Sequence, residues 1–277
     1  MFKSLVTTLA LTAVVGLVHT PLPPMLNEND EKADVSRIPA RSPVLVELFT
    51  SEGCSSCPLA DELLSRLEQT QPVEGAEIIA LSEHVDYWNR LGWVDPFSSS
   101  EFSSRQSDYG SVFGLDDIYT PQMIVDGRIQ FVGSNASKAN DAISNAARES
   151  KADITIAPAK TTARASGEVA LDIRVASLPS ITTGDTADVL LAITESGLRS
   201  NVSRGENAGR ELTHTAVVRS LSNVGVTDPG SDSRSIKATA KIEKGWTRSR
   251  LKAVVFVQER RSRRVLGAAS ISLAPSE

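Results

Sequence analysis

The stretch from Val44 to Leu67 constrains this chain more than any other. It opens with the apolar run Val44-Leu45-Val46-Glu47-Leu48-Phe49, passes through Gly53-Cys54-Ser55-Ser56-Cys57-Pro58, and ends in Leu59 to Leu67. Clustered β-branched and aromatic residues predict a buried strand in the first part, and the spacing of Leu63, Leu64 and Leu67 predicts a helix in the last. The only two cysteines of the chain therefore stand at a strand-to-helix junction. A helix N-terminus presents unpaired backbone N–H groups and the positive end of the helix dipole, and both favour a thiolate. That makes Cys54 the nucleophile and Cys57, deeper in the helix, the thiol that resolves a mixed disulfide. Pro58 suits the first helical turn, because its fixed φ is already helical and its missing N–H costs nothing there.

The compartment is read from the other end of the chain. Lys3 followed by an apolar stretch from Leu5 to Val18 has the charge-then-apolar order of a secretory signal and is shorter than a membrane span, which needs about 20 apolar residues. Residues 1–20 are expected to be a signal sequence and 21–42, rich in Pro, Asn, Asp and Glu, a disordered leader. No small-x-small cleavage site precedes Pro21, so an uncleaved short anchor is the alternative. No later stretch predicts a membrane span. The expected location is periplasmic or secreted, where a disulfide persists. Two cysteines three apart enclose too small a loop to stabilise a fold by its closure, so the pair is expected to be functional.

With 277 residues the chain is long enough for two cores, and a net charge of −5 argues against nucleic acid as the partner. Residues 43–150 read as strand, helix and a second strand at Ile78 to Leu81, then a long aromatic segment from Ser82 to Phe97. A helix opening near Ser98 follows, then Thr120-Pro121, a hairpin turning at Asp126-Gly127, and a helix from Ser137 to Ser150. Residues 151–277 carry six or seven short β runs separated by Gly, Ser, Asn and Asp, which predicts an all-β sandwich. Arg260-Arg261-Ser262-Arg263-Arg264 reads as a solvated hairpin tip.

Several stretches resemble the exported bacterial family called domain of unknown function 1223. They are Phe49 to Pro58, His84 to Trp88 with Leu91-Gly92-Trp93, Asp95-Pro96-Phe97, Tyr119 to Gln122, and Gly205 to Arg210 with His214 and Val217-Val218-Arg219. The order of elements over 43–150 is similar to a thioredoxin fold, which implies an α/β thioredoxin-like N-terminal domain before the all-β sandwich-like C-terminal domain. It also implies a cis peptide at Thr120-Pro121, with Pro121 shaping a substrate groove beside the cysteines.

Around this core the residues leave alternatives open. Glu47, a charge inside a strand, is either a buried proton acceptor for Cys57 or a strand-edge carboxylate facing solvent. His84 is a base or metal ligand, or a loop histidine bonded to Asp86. Trp88 and Trp93 form a hydrophobic lip for the partner or a packed cover. Glu206, Asn207, Arg210 and His214 form a polar cluster suited to loop or domain-docking hydrogen bonds. The leading expectation is a thiol-disulfide oxidoreductase acting on an exported protein or small thiol, with no cofactor beyond the Cys54–Cys57 disulfide. The alternatives are a copper-binding protein using Cys54, Cys57 and His84, and a non-catalytic interaction protein.

Overall fold

Every residue from Val44 to Thr50 is buried, so the first strand has no solvent face and the fold is built outward from both its edges. The computed structural model describes residues 1–2, 41–159, 167–227 and 233–275. The segments read as signal sequence and leader lie outside these, apart from 1–2 and 41–42. Residues Pro39–Glu277 form one compact unit.

Strand β1 (Ser42–Thr50) pairs in parallel with β2 (Ala76–His84), from Ser42 opposite Ala76 to Thr50 opposite His84. Helix α1 (Pro58–Thr70) makes the crossover. Helix α2 (Ser100–Phe113) follows the aromatic segment and is capped by Ser99, whose hydroxyl accepts from the Glu101 N–H. Strands β3 (Gln122–Val125) and β4 (Ile129–Val132) form a hairpin, with β3 antiparallel to β1. Asp126 and Gly127 turn it with φ of 48° and 64°, as a two-residue hairpin turn requires. Helix α3 (Ala136–Ala146) buries Ala139, Ala142, Ile143 and Ala146.

The second half contributes β5 (Asp153–Pro158), β6 (Glu168–Ala176), β7 (Ala187–Glu195), β8 (Leu198–Asn201), β9 (Glu211–His214), β10 (Val217–Thr227), β11 (Ser233–Lys241), β12 (Leu251–Glu259) and β13 (Val265–Ser272). Here the structure corrects the expected architecture. There is no α/β thioredoxin-like domain followed by a β-sandwich. One eight-stranded mixed sheet, ordered β13-β12-β7-β10-β2-β1-β3-β4, draws strands from both halves. The seam is a short parallel contact in which Ser82 of β2 lies opposite Val217 of β10 and donates its N–H to the Ala216 carbonyl at 2.8 Å.

Burial explains the difference. Strand β12 is buried almost throughout, and β7 is buried at every position from Leu191 to Glu195. That is how a strand inside a sheet covered on both faces behaves, whereas a sandwich strand alternates between core and solvent. Clear alternation appears instead in the separate sheet β11-β6-β5, where β6 buries Val169, Leu171, Ile173 and Val175 and turns Asp172 and Arg174 to solvent.

The pleat sorts the layers, because successive side chains point to opposite faces. Val44, Val46 and Leu48 of β1 with Ile78 and Ala80 of β2 pack against α1 and α3. Leu45, Ile79 and Leu81 lie on the other face, with Phe102 of α2 and Val254 and Phe256 of β12. At the far end of the sheet, β7 and β12 place Val189, Leu191, Ile193, Val255 and Val257 against the three-stranded sheet. Strands β8 and β9 form a two-stranded ribbon, and the loop joining them reaches the CxxC segment.

Candidate functional site

The parallel register ends β1 and β2 side by side, so Thr50 and His84 open onto the same edge. Beyond Thr50 the chain turns through Ser51, Glu52 and Gly53 into Cys54. Gly53 is tightly seated: a Cβ there would lie 3.1 Å from the Trp88 Cβ. Cys57 is the N-cap of α1 with helical φ and ψ of −71° and −37° and no side-chain cap, and its carbonyl accepts from the N–H of Ala60 at 2.8 Å and of Asp61 at 3.0 Å. Pro58 takes the first position of the helix.

Cys54 and Cys57 are joined in a disulfide. Both are enclosed, at 1% and 0% exposure, while Ser55 and Ser56 between them reach the surface. The Cys54 sulfur lies 3.4 Å from Ser56 Oγ.

The cover comes from the β8–β9 loop. Asn207 Nδ2 donates to the carbonyls of Glu52 at 2.8 Å and Cys54 at 2.9 Å, and Arg210 fixes the Asn207 amide by donating to its Oδ1 at 2.9 Å. The Ser55 N–H donates to the Glu206 carboxylate at 2.9 Å, and the bonds from Ser55 hold Glu206 below its usual pKa. The polar cluster read from the sequence thus docks the second half of the chain onto the CxxC loop. Both tryptophans of the aromatic segment are half-buried and anchored by their indole N–H groups. Trp93 donates to Glu52 Oε2 at 2.7 Å and Trp88 to Thr120 Oγ1 at 2.8 Å. The Thr120–Pro121 peptide is cis. Pro121 meets Leu48 of β1 and Ala60 of α1 at Gly133, where an added Cβ would lie 2.7 to 3.2 Å from all three.

Beneath the loop lies a buried polar cluster. His84 shares a hydrogen bond with Asp95 Oδ2 at 2.7 Å, and not with Asp86; Asp95 also accepts from the N–H groups of Glu52 and Phe97, each at 2.9 Å. His214 Nε2 meets Glu52 Oε1 at 2.9 Å. The two imidazoles stand edge to face with centroids 4.8 Å apart, and Phe97 packs on both at 5.5 Å. Burial works against charge on His84, but Asp95, Asp61 and Glu52 outweigh it and raise its pKa. Burial would raise the Asp95 carboxyl, yet His84 and the backbone donors bring it below its ordinary value.

Glu47 is placed elsewhere. It faces α2, on the side of β1 opposite α1, because its parity in the strand differs from that of Val46 and Leu48. Its carboxylate accepts from Arg105 Nε at 2.8 Å and Nη2 at 2.5 Å, and from the Tyr109 hydroxyl at 2.5 Å. Gln258 of β12 completes this network, accepting from Arg105 at 2.9 Å and donating to Tyr109 at 2.7 Å.

The structure therefore gathers Cys54, Cys57, Pro58, His84, Trp88, Trp93, Thr120 and Pro121 along one edge and leaves Glu47 out. It adds Glu52, Asp61 and Asp95, and draws Asn207 and His214 of the predicted polar cluster to the same edge. The usable signal for Asp61 was its spacing of four from Cys57; nothing local marks Asn207 as the residue that would reach Cys54. Among the described residues no group of three His, Cys, Asp or Glu side chains is arranged to hold a metal ion. With both sulfurs engaged in the disulfide, the Cys54, Cys57 and His84 copper set is not assembled in this form.

Fold and site define a mixed-sheet protein with an enclosed CxxC disulfide at a helix N-terminus. The chain belongs to the family described as Protein of unknown function (DUF1223), which matches residues 45–258. No curated protein matches it significantly. It is similar to the X-ray crystal structure of a protein from Agrobacterium tumefaciens, 26% identical, with a TM-score of 0.66 over 86% of this chain and 97% of that one. A Pseudomonas fluorescens alkylpurine DNA glycosylase bound to DNA covers 50% of this chain and 35% of its own at 14% identity, and its TM-score of 0.23 carries no argument.

Proposed function

We propose that this protein is a thiol-disulfide oxidoreductase acting outside the cytoplasm on a thiol-bearing or disulfide-bearing protein or small thiol. The observation that carries the reading is the Cys54–Cys57 disulfide at the start of α1, where backbone N–H groups and the helix dipole stabilise a thiolate. In the oxidising direction a substrate thiolate attacks Cys54 Sγ, the Cys54–Cys57 bond breaks, and Cys57 leaves as a thiolate. A second substrate thiolate then attacks the substrate sulfur of the mixed disulfide and expels Cys54, so the substrate gains the disulfide and the protein keeps both thiols. The reverse sequence reduces a substrate. The exported location rests on the N-terminal order of Lys3 and Leu5 to Val18, and the chemistry needs no cofactor beyond the disulfide itself.

Trapping tests the proposal. A reduced Cys57→Ser variant should accumulate a mixed disulfide through Cys54 when mixed with a disulfide substrate. A Cys54 thiol that stays inert near neutral pH would overturn the reading. The reduction potential then assigns direction, since values near about −120 mV belong to oxidants and near about −270 mV to reductants.

A further inference from the structure

Four buried polar atoms behind the disulfide have no hydrogen-bond partner: Thr50 Oγ1, Asp61 Oδ1, His84 Nε2 and His214 Nδ1. Buried polar groups are nearly always paired, so four orphans in one place need a cause. They come from β1, α1, β2 and β9, and Asp61 interacts with the other three residues. The charged neighbours of Asp61 are His214, His84 and Asp95, with the Thr50 hydroxyl close enough to help hold its carboxylate, and those of His84 are Asp95, Asp61 and Glu52.

Asp61 stands one helical turn beyond Cys57, and its N–H bonds the Cys57 carbonyl. Side chains four apart on a helix share a face, with Cβ atoms about 5–6 Å apart, and helical side chains lean toward the N-terminus. The Asp61 carboxyl is thereby directed back over Cys57. An acidic residue in a first turn ordinarily stabilises its helix from solvent. Asp61 does not fit that role alone, because its Oδ1 is enclosed without a well-formed hydrogen bond, and burial raises its pKa while His214, His84 and the nearby Thr50 hydroxyl oppose the rise.

We propose that Asp61 is the proton acceptor for Cys57, in a buried cluster with His84 and His214 that stores the proton while the disulfide forms. This rests on the oxidoreductase reading given above. The orphaned oxygen is what the oxidised protein should show, since Cys57 then has no proton to donate. In the reduced protein the Cys57 S–H is the missing donor. When Cys54 is held in a mixed disulfide, the Cys57 thiol passes its proton to the Asp61 carboxylate and its thiolate attacks Cys54 Sγ. The Cys54–Cys57 bond forms, and the substrate sulfur leaves as a thiolate that takes the proton back. The two histidines each keep one ring nitrogen bound, His84 to Asp95 and His214 to Glu52, leave the other without a partner, and both act on the Asp61 carboxyl.

The test uses the reduced full chain and an aromatic disulfide, 5,5′-dithiobis(2-nitrobenzoate), whose coloured thiol is released once when Cys54 reacts and again when Cys57 resolves. Asp61→Asn should slow the second release about tenfold or more, within the usual range of proton-transfer catalysis, and remove a pH inflection from that phase alone. Oxidised Asp61→Asn should melt no lower than the parent chain, because the amide removes the cost of holding a carboxylate whose Oδ1 is out of solvent; a structural residue would show the opposite. A second phase with unchanged rate and pH profile overturns the assignment of Asp61 and leaves the oxidoreductase reading standing. A parent chain that releases no coloured thiol through Cys54 overturns both.

Discussion

The side-chain amide of Asn207 donates to the backbone carbonyl of Cys54 at 2.9 Å, although the two residues stand 153 positions apart in the chain. A single side chain from the second half thus fixes the backbone of the CxxC loop, and the Glu206 carboxylate on Ser55 adds a second tie beside two enclosed sulfurs.

Replacing Asn207 by Ala should therefore loosen the cover. Two buried carbonyls lose their donor, at a cost of about 1–3 kcal/mol in denaturant melts. Reduction of the disulfide by a soluble phosphine should also become faster than in the parent chain. Equal reduction rates in the two proteins would show that the β8–β9 loop does not limit access.

Glu47→Ala should be among the most destabilising single changes. It leaves the Arg105 guanidinium, only 5% exposed, facing a lost partner, and breaking a buried pair in this way costs about 3–5 kcal/mol. The two-phase thiol kinetics of the folded variant should match the parent, because Glu47 faces α2 and the cysteines lie at the start of α1. A selective loss of the resolving phase would return the proton-acceptor role to Glu47.

Burial holds the Glu83 carboxyl well above its ordinary value near 4.5, with Arg105 pulling it down and Glu47 adding to the rise. The folded chain keeps a proton that the unfolded chain releases, so stability falls as pH rises from about 4.5 through the folded value. Glu83→Gln, neutral at every pH, should flatten that decline and raise the melting temperature at neutral pH. Melts at a series of pH values will decide, and a variant with the parent's slope would exclude Glu83 as its source.

His84 should titrate above 6.5, since Asp95, Asp61 and Glu52 together outweigh the cost of burying its charge. Its contribution to stability is full below 6.5 and is lost as pH rises through the higher folded value. An NMR titration of the His84 ring should show this directly, and Asp95→Asn should bring the midpoint down. A parent midpoint at or below 6.5 would contradict the charge pairing.

Much of the local structure was legible because local physics decides it. The run from Val44 to Phe49, the leucines of α1, and Asp126-Gly127 each form the element their residues favour. The cis peptide at Thr120-Pro121 was legible only from the order of elements around it, because few X–Pro bonds are cis. The architecture was not legible, because it turns on which strand closes the free edge of β2. Nothing in the alternation of Thr213 to Val218 says that the chain ends one strand at His214, turns through Thr215 and Ala216, and starts another beside Ser82. The face of Glu47 was readable from strand parity against its apolar neighbours, but its partner Arg105 lies on a helix with no local tie to β1. Arg260 to Arg264 form the hairpin tip between β12 and β13, as their charge predicts, but the pairing of Arg260 with Asp188, Arg263 with Asp108 and Arg264 with Glu259 depends on carboxylates that the fold brings near.

The seam between Ser82 and Val217 also sets a timetable. Contacts between residues so distant in sequence form late, and a strand edge without a neighbour is a template for pairing with another chain. While the nascent molecule waits for β10, the edge of β2 is bare and the two sulfurs lack the β8–β9 ribbon that will enclose them. A fragment stopping at Ser150 would stay in that condition permanently, keeping the CxxC sequence but lacking both its enclosure and the neighbour of β2. The enclosure of Cys54 and Cys57 is thus a property acquired at the end of folding, and it belongs to the whole chain.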